Sequence, residues 1–127
     1  MPDYADLIER LEGADHGSRA LDCDVARALG ERVFWPRLGV PLLHDSGDPV
    51  PAYTTSLDAA LSLVPEGWYG RVWFSALPPH IAHNNNRASI WSPDPEQEHA
   101  FFGPSGNAAT APLALTIAAL KARQAAS

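Results

Sequence analysis

Residues Trp68–Leu77, WYGRVWFSAL, decide the fold because their side chains alternate in polarity with a period of two. This period is typical of a β-strand whose two faces meet different surroundings. Similar alternation recurs in Arg87–Trp91 and Glu98–Phe102, and the connecting segments 78–86 and 92–97 are rich in Pro and Asn. The sequence therefore predicts three strands arranged as an antiparallel meander.

The two faces of this predicted sheet differ in chemistry. One face carries the apolar side chains of an ordinary core: Val72, Phe74, Ala88, Ile90, Ala100 and Phe102. The other face interleaves arginines with aromatic rings: Tyr69, Arg71, Trp73, Arg87, Ser89, Trp91, His99 and Phe101. A register shifted by one residue would exchange the faces. Three interpretations of the second face stay open: a second helical layer covers it, subunits meet on it, or a ligand binds there.

The first 30 residues are predicted to form two helices. In Asp3–Glu12 the apolar residues repeat at i, i+3, i+4 and i+7, which is one stripe along a helix. Ser18 is suited to cap the second helix, and Gly30 lies where a terminating glycine is expected. The apolar face of this second helix comprises Leu21, Val25, Ala28 and Leu29.

Two further helices flank the strands. Thr54 or Thr55 opens the third helix, and the segment Pro65–Gly67 ends it. The apolar face of this third helix comprises Leu57, Ala60, Leu61 and Val64. Thr110 caps a last helix that is apolar on nearly all sides, so we expect it to pack tightly across the sheet.

The resulting order, α-α-β/loop-α-β-β-β-α, predicts an α+β fold in which a small antiparallel sheet of three or four strands is layered with helices. A chain of 127 residues, 46% of them hydrophobic, is long enough to form one domain over residues 1–127. Prolines and glycines in Arg32–Tyr53 predict a short strand at most, followed by a long, stiff loop.

Charge and cysteine content narrow the class of protein. With 9 Lys and Arg against 15 Asp and Glu, the formal net charge is −6, which disfavours nucleic-acid polymers and anionic membranes as partners. The single cysteine, Cys23, excludes an internal disulfide and a thiolate zinc cluster, and its neighbours Asp22 and Asp24 predict an inert thiol. Because the chain shows no membrane span or signal peptide, we expect a cytoplasmic protein.

Motifs for catalysis and metal binding are weak. His80-x-x-His83 has metal-like spacing but lacks further ligands, and His44–Ser46 lacks a nucleophile motif. Gly103–Gly106 lacks the lysine of a phosphate loop and is interpreted as a turn. Most acidic residues fall on predicted exposed helix faces, which favours a solvated surface. We therefore expect no enzyme activity, no metal site and no cofactor.

Three segments carry a resemblance to a known family. They are Pro51–Trp68, which contains PAYTTSLDAA and LVPEGW, the closing Leu113–Arg123, LALTIAALKAR, and the opening Leu7–Glu12, LIERLE. In this order they resemble the phage ABA-sandwich domain family, which consists of small proteins of phages and prophages. The resemblance implies a sheet between helical layers and assigns no catalytic residues, because the function of the family is uncharacterised.

These observations favour a non-enzymatic, phage-encoded accessory protein that binds a small anionic ligand of the nucleotide type. In its sharpest form, the hypothesis is that the protein sequesters a signalling nucleotide of a bacterial defence system. Aromatic rings stack on bases, and arginines hold phosphates. The candidate ligand-binding residues are Trp35, Arg37, Tyr53, Arg71, Trp73, Arg87 and Trp91. We also expect a homo-oligomer. The alternative is a homo-oligomeric or host-protein-binding module that uses the same face without a small ligand.

Overall fold

The computed structural model describes residues 4–36, 39–74, 86–91 and 104–126. Within these residues lie four helices: α1 (Ala5–Gly13), α2 (Arg19–Ala28), α3 (Leu57–Leu61) and α4 (Ala111–Ala126). Two short strands, β1 (Val33–Phe34) and β2 (Leu42–Leu43), pair antiparallel. A second antiparallel sheet has the order β3-β4-β5, formed by β3 (Tyr69–Trp73), β4 (Asn86–Trp91) and β5 (Ser105–Ala108). The predicted α+β class is confirmed.

Helix α4 lies at the centre of the core. Residues 113–120 are all buried, as the nearly uniform apolar sequence predicts. The helix packs across β3, β4 and β5 and also contacts α1 and α3. Three of its polar side chains donate hydrogen bonds to backbone carbonyls of surrounding segments: Thr116 to Tyr53 at 2.8 Å, Lys121 to Ser105 at 2.9 Å, and Arg123 to Leu63 at 2.9 Å. These bonds fix the rotation of the helix in its apolar surroundings.

The register of β3 and β4 confirms the predicted alternation. Tyr69 lies opposite Trp91, and Trp73 lies opposite Arg87. The face packed against α4 carries Val72, Ala88 and Ile90. Phe74, which was predicted for that core face, follows the end of β3 and is 80% exposed, so its predicted burial is wrong.

The third described strand lies where the sequence predicts a turn. Ser105–Ala108 pairs antiparallel with β4, so the prediction of a turn is wrong at Ser105 and Gly106. A Cβ atom added to Gly106 would lie 2.7 Å from Ile117 Cβ, which shows how closely α4 approaches this strand. Packing against the helix thus selects small residues here, although they have little strand propensity. The predicted strand Glu98–Phe102 lies outside the described residues.

Helices α1 and α2 largely follow the predicted local signals. Leu7, Ile8 and Leu11 are buried on one stripe of α1. The Ser18 hydroxyl accepts a hydrogen bond from the Leu21 backbone N–H and caps α2. Beyond α2, Gly30 adopts a φ of 91°, the left-handed conformation that favours glycine. Of the predicted face of α2, Val25 is buried and Leu21, Ala28 and Leu29 pack partly buried against the core, while the buried residues also include Asp22, Cys23 and Ala26.

Helix α3 is shorter than predicted and begins later. Its N-cap is Ser56, whose hydroxyl accepts a hydrogen bond from the Ala59 backbone N–H. Ala60 is fully buried, but Leu57 and Leu61 are 40% and 52% exposed, so the predicted apolar face is wrong at both leucines. A helix of five residues has only one side against the core, and that side is occupied by Ala60.

A buried polar network ties α2 to the segment that precedes α3. The fully buried Asp22 carboxylate accepts hydrogen bonds from the Thr54 backbone N–H at 2.8 Å and from the Thr54 hydroxyl at 2.6 Å. Its other oxygen accepts from the Arg19 guanidinium at 2.8 Å. The Ser18 backbone N–H donates to the Thr54 hydroxyl. Asp22 is therefore a structural residue, and the expectation of a solvated surface is wrong at this position.

We predict that Gly106→Ala destabilises the protein by about 1–3 kcal/mol, because the added methyl group forces α4 away from β5. Urea unfolding followed by circular dichroism measures this change. Gly13→Ala is the matched control, since a Cβ at Gly13 meets no atom within 4 Å. Equal effects of the two substitutions would contradict the close helix–strand packing.

We predict that Thr54→Val lowers the free energy of unfolding by about 1–3 kcal/mol, because it removes one of the hydrogen bonds to the buried Asp22 carboxylate and the acceptor of the Ser18 N–H. The control is Thr55→Val at the next, exposed position, which should change stability by less than about 0.5 kcal/mol. Thermal or urea unfolding of both variants makes the comparison. A Thr54→Val protein as stable as the control would show that the network is dispensable.

Candidate functional site

The candidate site is the sheet face that points away from α4. We define the aromatic–arginine face as Tyr69, Arg71, Trp73 and Arg87, which are the exposed arginines and rings on this side of β3 and β4. The strand pairing arranges the face in rows, with Arg71 beside Ser89 and Ser105, and Trp73 beside Arg87 and Asn107. In the part of the chain that the structure describes, no helix covers these exposed residues.

Each arginine of the face lies near an indole ring. The Arg87 guanidinium carbon is 5.6 Å from the centroid of the Trp73 ring, and that of Arg71 is 6.0 Å from the Trp91 ring. Both distances fall within the range of a cation–π interaction. Tyr69 completes the arrangement with an edge-to-face contact to Trp91, at 5.0 Å between centroids. These contacts orient the guanidinium groups over the sheet.

The positive charge of the face is uncompensated among the described residues. Neither Arg71 nor Arg87 has a carboxylate within ion-pair distance in residues 4–36, 39–74, 86–91 and 104–126, although Arg10, Arg19, Arg27 and Arg32 all have one. Arg71 pairs with Ser89, two residues from Arg87, so the two arginines are diagonal neighbours. Diagonal positions on a sheet are about 7–8 Å apart, which allows two long side chains to hold one anionic group.

The aromatic rings on this side of the sheet differ in how much of their surface is exposed. Trp73 and Tyr69 are 46% and 52% exposed, and each offers surface to a planar ligand. Trp91 is only 9% exposed and is already contacted by Tyr69 and Arg71. Little of the Trp91 ring is therefore left for the ligand stacking that the sequence predicts.

Of the seven predicted ligand-binding residues, four come together on this side of the sheet: Arg71, Trp73, Arg87 and Trp91. Tyr53 does not join them. It belongs to the buried core, where burial raises the pKa of its hydroxyl group. Trp35 is 47% exposed but follows β1, which contacts β2 and α2 and not the three-stranded sheet. Arg37 lies outside the described residues.

Sequence reasoning missed two parts of this site. Tyr69 was assigned to the face by alternation but was omitted from the candidate ligand-binding residues. Ser105 and Asn107 extend the face on β5 and were missed because the sequence predicted a turn there. The strand assignment Glu98–Phe102 supplied His99 and Phe101 instead, and both lie outside the described residues.

Within the described residues, the weak catalytic motifs do not form a catalytic arrangement. His44 Nδ1 lies 3.4 Å from Asp45 Oδ1, but the Ser46 hydroxyl accepts a hydrogen bond from the Asp48 N–H and has no bond to His44. Arg32 also binds Asp45, and this hydrogen bond lowers the pKa of the Asp45 carboxyl group. His80 and His83 lie outside the described residues. Within the described ranges, no group of three or more His, Cys, Asp and Glu is placed to hold a metal ion.

Cys23 is a buried free thiol, and burial raises its pKa. Arg27 and Arg19 act against this rise, while Asp22 and Asp24 add to it. Because the thiolate is the reactive form, the predicted inert character agrees with this environment.

Comparison with models of protein families, with curated proteins and with solved structures finds no match to this chain. The resemblance to the phage ABA-sandwich family therefore stays a prediction. None of the helices in the described part of the chain has the length and apolar character needed to cross a membrane.

We predict that Arg87→Gln lowers the free energy of unfolding by at most about 1 kcal/mol, because its contact with Trp73 is an exposed cation–π pair. Chemical unfolding of this variant and of Arg10→Gln, an exposed arginine on α1, gives the comparison. A loss of several kcal/mol would mean that Arg87 is retained for stability and would remove the reason to assign it to a binding site.

Proposed function

We propose that the aromatic–arginine face binds a small, planar, anionic ligand of the nucleotide type and that the protein acts by binding, without chemical conversion. The observation that supports this most directly is the pair of diagonal arginines without carboxylate partners among the described residues, placed beside two half-exposed rings. A base offers a flat surface to Trp73 or Tyr69, and its phosphates offer oxygens to the two guanidinium groups. A ligand that carries both a base and a phosphate therefore requires aromatic rings and arginines on the same face.

The size of the charged patch favours a small ligand over a polymer. A nucleic-acid strand requires several cations along its backbone. Here two arginines converge on one face, and the chain as a whole carries a net charge of −6. A ligand with one or two phosphate groups matches two guanidinium forks, whereas a longer polyanion would meet the acidic remainder of the surface.

Binding without turnover is supported by the chemistry of the face. Its described side chains are aromatic rings, guanidinium groups, hydroxyl groups and an amide. Such groups orient and hold a phosphate, but they include no base poised to take a proton. In the most specific form of the proposal, the protein sequesters a signalling nucleotide in the cytoplasm of a phage-infected cell, and this form rests on the family resemblance.

The proposal is tested by isothermal titration calorimetry with ADP-ribose and with a cyclic dinucleotide. We expect saturable heat with at least one of them. Arg87→Gln should weaken that binding about 10-fold to 100-fold, because a hydrogen bond to a charged group contributes about 1.5–3 kcal/mol. Arg10→Gln should bind like the wild type, since Arg10 lies on α1 and is paired with Asp24.

A second pair of variants tests whether binding depends on stacking against Trp73 or on any exposed aromatic ring. Trp73→Leu should weaken binding by about 1–3 kcal/mol, the usual effect of losing one base–aromatic stack. Trp35→Leu is matched in exposure, at 47% against 46%, but lies outside the three-stranded sheet and should have no effect. No heat with either nucleotide, in protein shown to be folded, would refute the proposal.

An interaction module remains the second candidate because the same part of the molecule exposes large apolar side chains. Tyr69, Trp73 and Phe74 are each at least 46% exposed on or just beyond β3. Tryptophan, tyrosine and arginine are also enriched among residues that dominate protein interfaces. This second function is favoured if Trp73→Ala and Arg87→Ala abolish self-association and neither the wild type nor the variants bind a nucleotide.

A further inference from the structure

The outer edge of β3 is open in the described part of the sheet. β4 pairs with one edge of β3, and no described strand pairs with the other. Gly70, Arg71 and Trp73 are all exposed along this strand. An unpaired edge presents a row of backbone donors and acceptors that another strand can use, and natural proteins often protect such edges with proline or lysine. β3, with the sequence YGRVW, contains neither.

A small apolar pocket adjoins this edge on the side that faces the helices. Its volume is about 100 Å³, and its lining includes Leu61, Val64, Gly70, Val72 and Leu115. Gly70 leaves the pocket open because it has no side chain. A Cβ atom at this position would collide with the Ser89 carbonyl oxygen of β4 and lie 2.8 Å from Ile90 Cγ2, so position 70 accepts no side chain.

Among the large apolar side chains of the described residues, Phe74 is the most exposed, at 80%. It lies four residues after Gly70 and directly follows β3, and continuing the alternation of the strand by one residue would place position 74 on the same side as Gly70 and Val72. The same strand edge therefore carries an apolar pocket near one end and an exposed ring at the other. This combination is complementary to itself when the strand is reversed.

We propose that β3 pairs antiparallel with β3 of a second copy of this chain, about a two-fold axis through Val72. In this register Gly70 faces Phe74 of the second copy, and the ring covers the glycine and enters the pocket. Arg71 faces Trp73 of the second copy, which gives two symmetric cation–π pairs across the interface. A two-fold dimer uses one self-complementary patch on both copies, as this register requires.

Neighbouring symmetric registers are less favourable. Centring the pair on Arg71 would place two guanidinium groups directly opposite one another, and like charges in that position destabilise a sheet. Centring it on Gly70 would bring Glu66, and not Gly70, opposite Phe74 of the second copy. Only the register centred on Val72 pairs the ring with the glycine and the arginine with the indole.

This dimer goes beyond the proposed function and does not depend on a ligand. It joins two three-stranded sheets into one sheet of six strands and brings the two aromatic–arginine faces side by side. Arg71 and Trp73 from both copies then lie at the centre of a continuous surface. The partner copy would thereby contribute residues to each candidate binding site.

Sedimentation equilibrium of the whole protein tests the dimer. We expect the wild type to sediment at twice the 13.7 kDa mass of one chain. Phe74→Ser should weaken association at least tenfold and yield the mass of one chain at the same concentration. Because Phe74 is exposed in the single chain, this substitution should leave the circular dichroism spectrum and the unfolding midpoint of the monomer essentially unchanged.

The matched control is Phe34→Ser, which removes another phenylalanine that is 55% exposed, on β1. It should remain dimeric. A monomeric wild type, or a Phe74→Ser variant that stays dimeric, would overturn the proposed interface. Titration of Phe74→Ser with ADP-ribose distinguishes the two proposals. Binding of ADP-ribose by this variant would support the binding site even if the wild type proved monomeric. A dimeric wild type that binds no nucleotide would support the interface alone.

Discussion

Helix α4 must be covered on every side, and the rest of the structure is arranged to cover it. Residues 113–120 are all buried, which is unusual for a helix in a chain of this length. The three-stranded sheet covers one side of the helix, and α1 and α3 cover others. The close approach to β5 depends on Gly106, and the hydrogen bonds from Thr116 and Arg123 to backbone carbonyls set the position of the helix along its axis.

This constraint explains why the two sheet faces differ. Small and branched apolar residues occupy the face toward α4, because that is the only face the helix can cover. Arginines and aromatic rings occupy the other, where core packing gives no reason for them. An exposed tryptophan beside an arginine without a carboxylate partner among the described residues contributes little to stability. The chemistry of that face is therefore the feature on which the proposed ligand binding rests.

The parts of the fold that could be predicted are those with a strong local signal. Alternation along Tyr69–Trp73 and Arg87–Trp91 placed the correct residues on each face, and the caps at Ser18 and Thr110 follow from side-chain chemistry. The strand Ser105–Ala108 could not be found in this way. Its serine, glycine, asparagine and alanine have little strand propensity, and the small size of Gly106 is explained only by the helix that packs on it.

Errors at individual residues have the same origin in tertiary packing. Leu57 and Leu61 fit a helical stripe, but α3 is too short to turn both toward the core. Tyr53 was predicted at the ligand site from its place in a proline-rich loop, yet that loop folds against α4 and buries the ring. Asp22 looks like a solvated helix residue until Thr54, 32 residues further along the chain, supplies its hydrogen bonds.

The central claim is that the fold leaves one sheet face for a ligand while α4 occupies the other. The most direct measurement is a nuclear magnetic resonance titration with ADP-ribose that follows the Trp indole N–H and Arg side-chain N–H signals. The account predicts shifts at Trp73, Arg71 and Arg87, with none at Trp68, which packs against the core. Shifts confined to Trp68 or Trp35, or no shift at any of these signals, would contradict it.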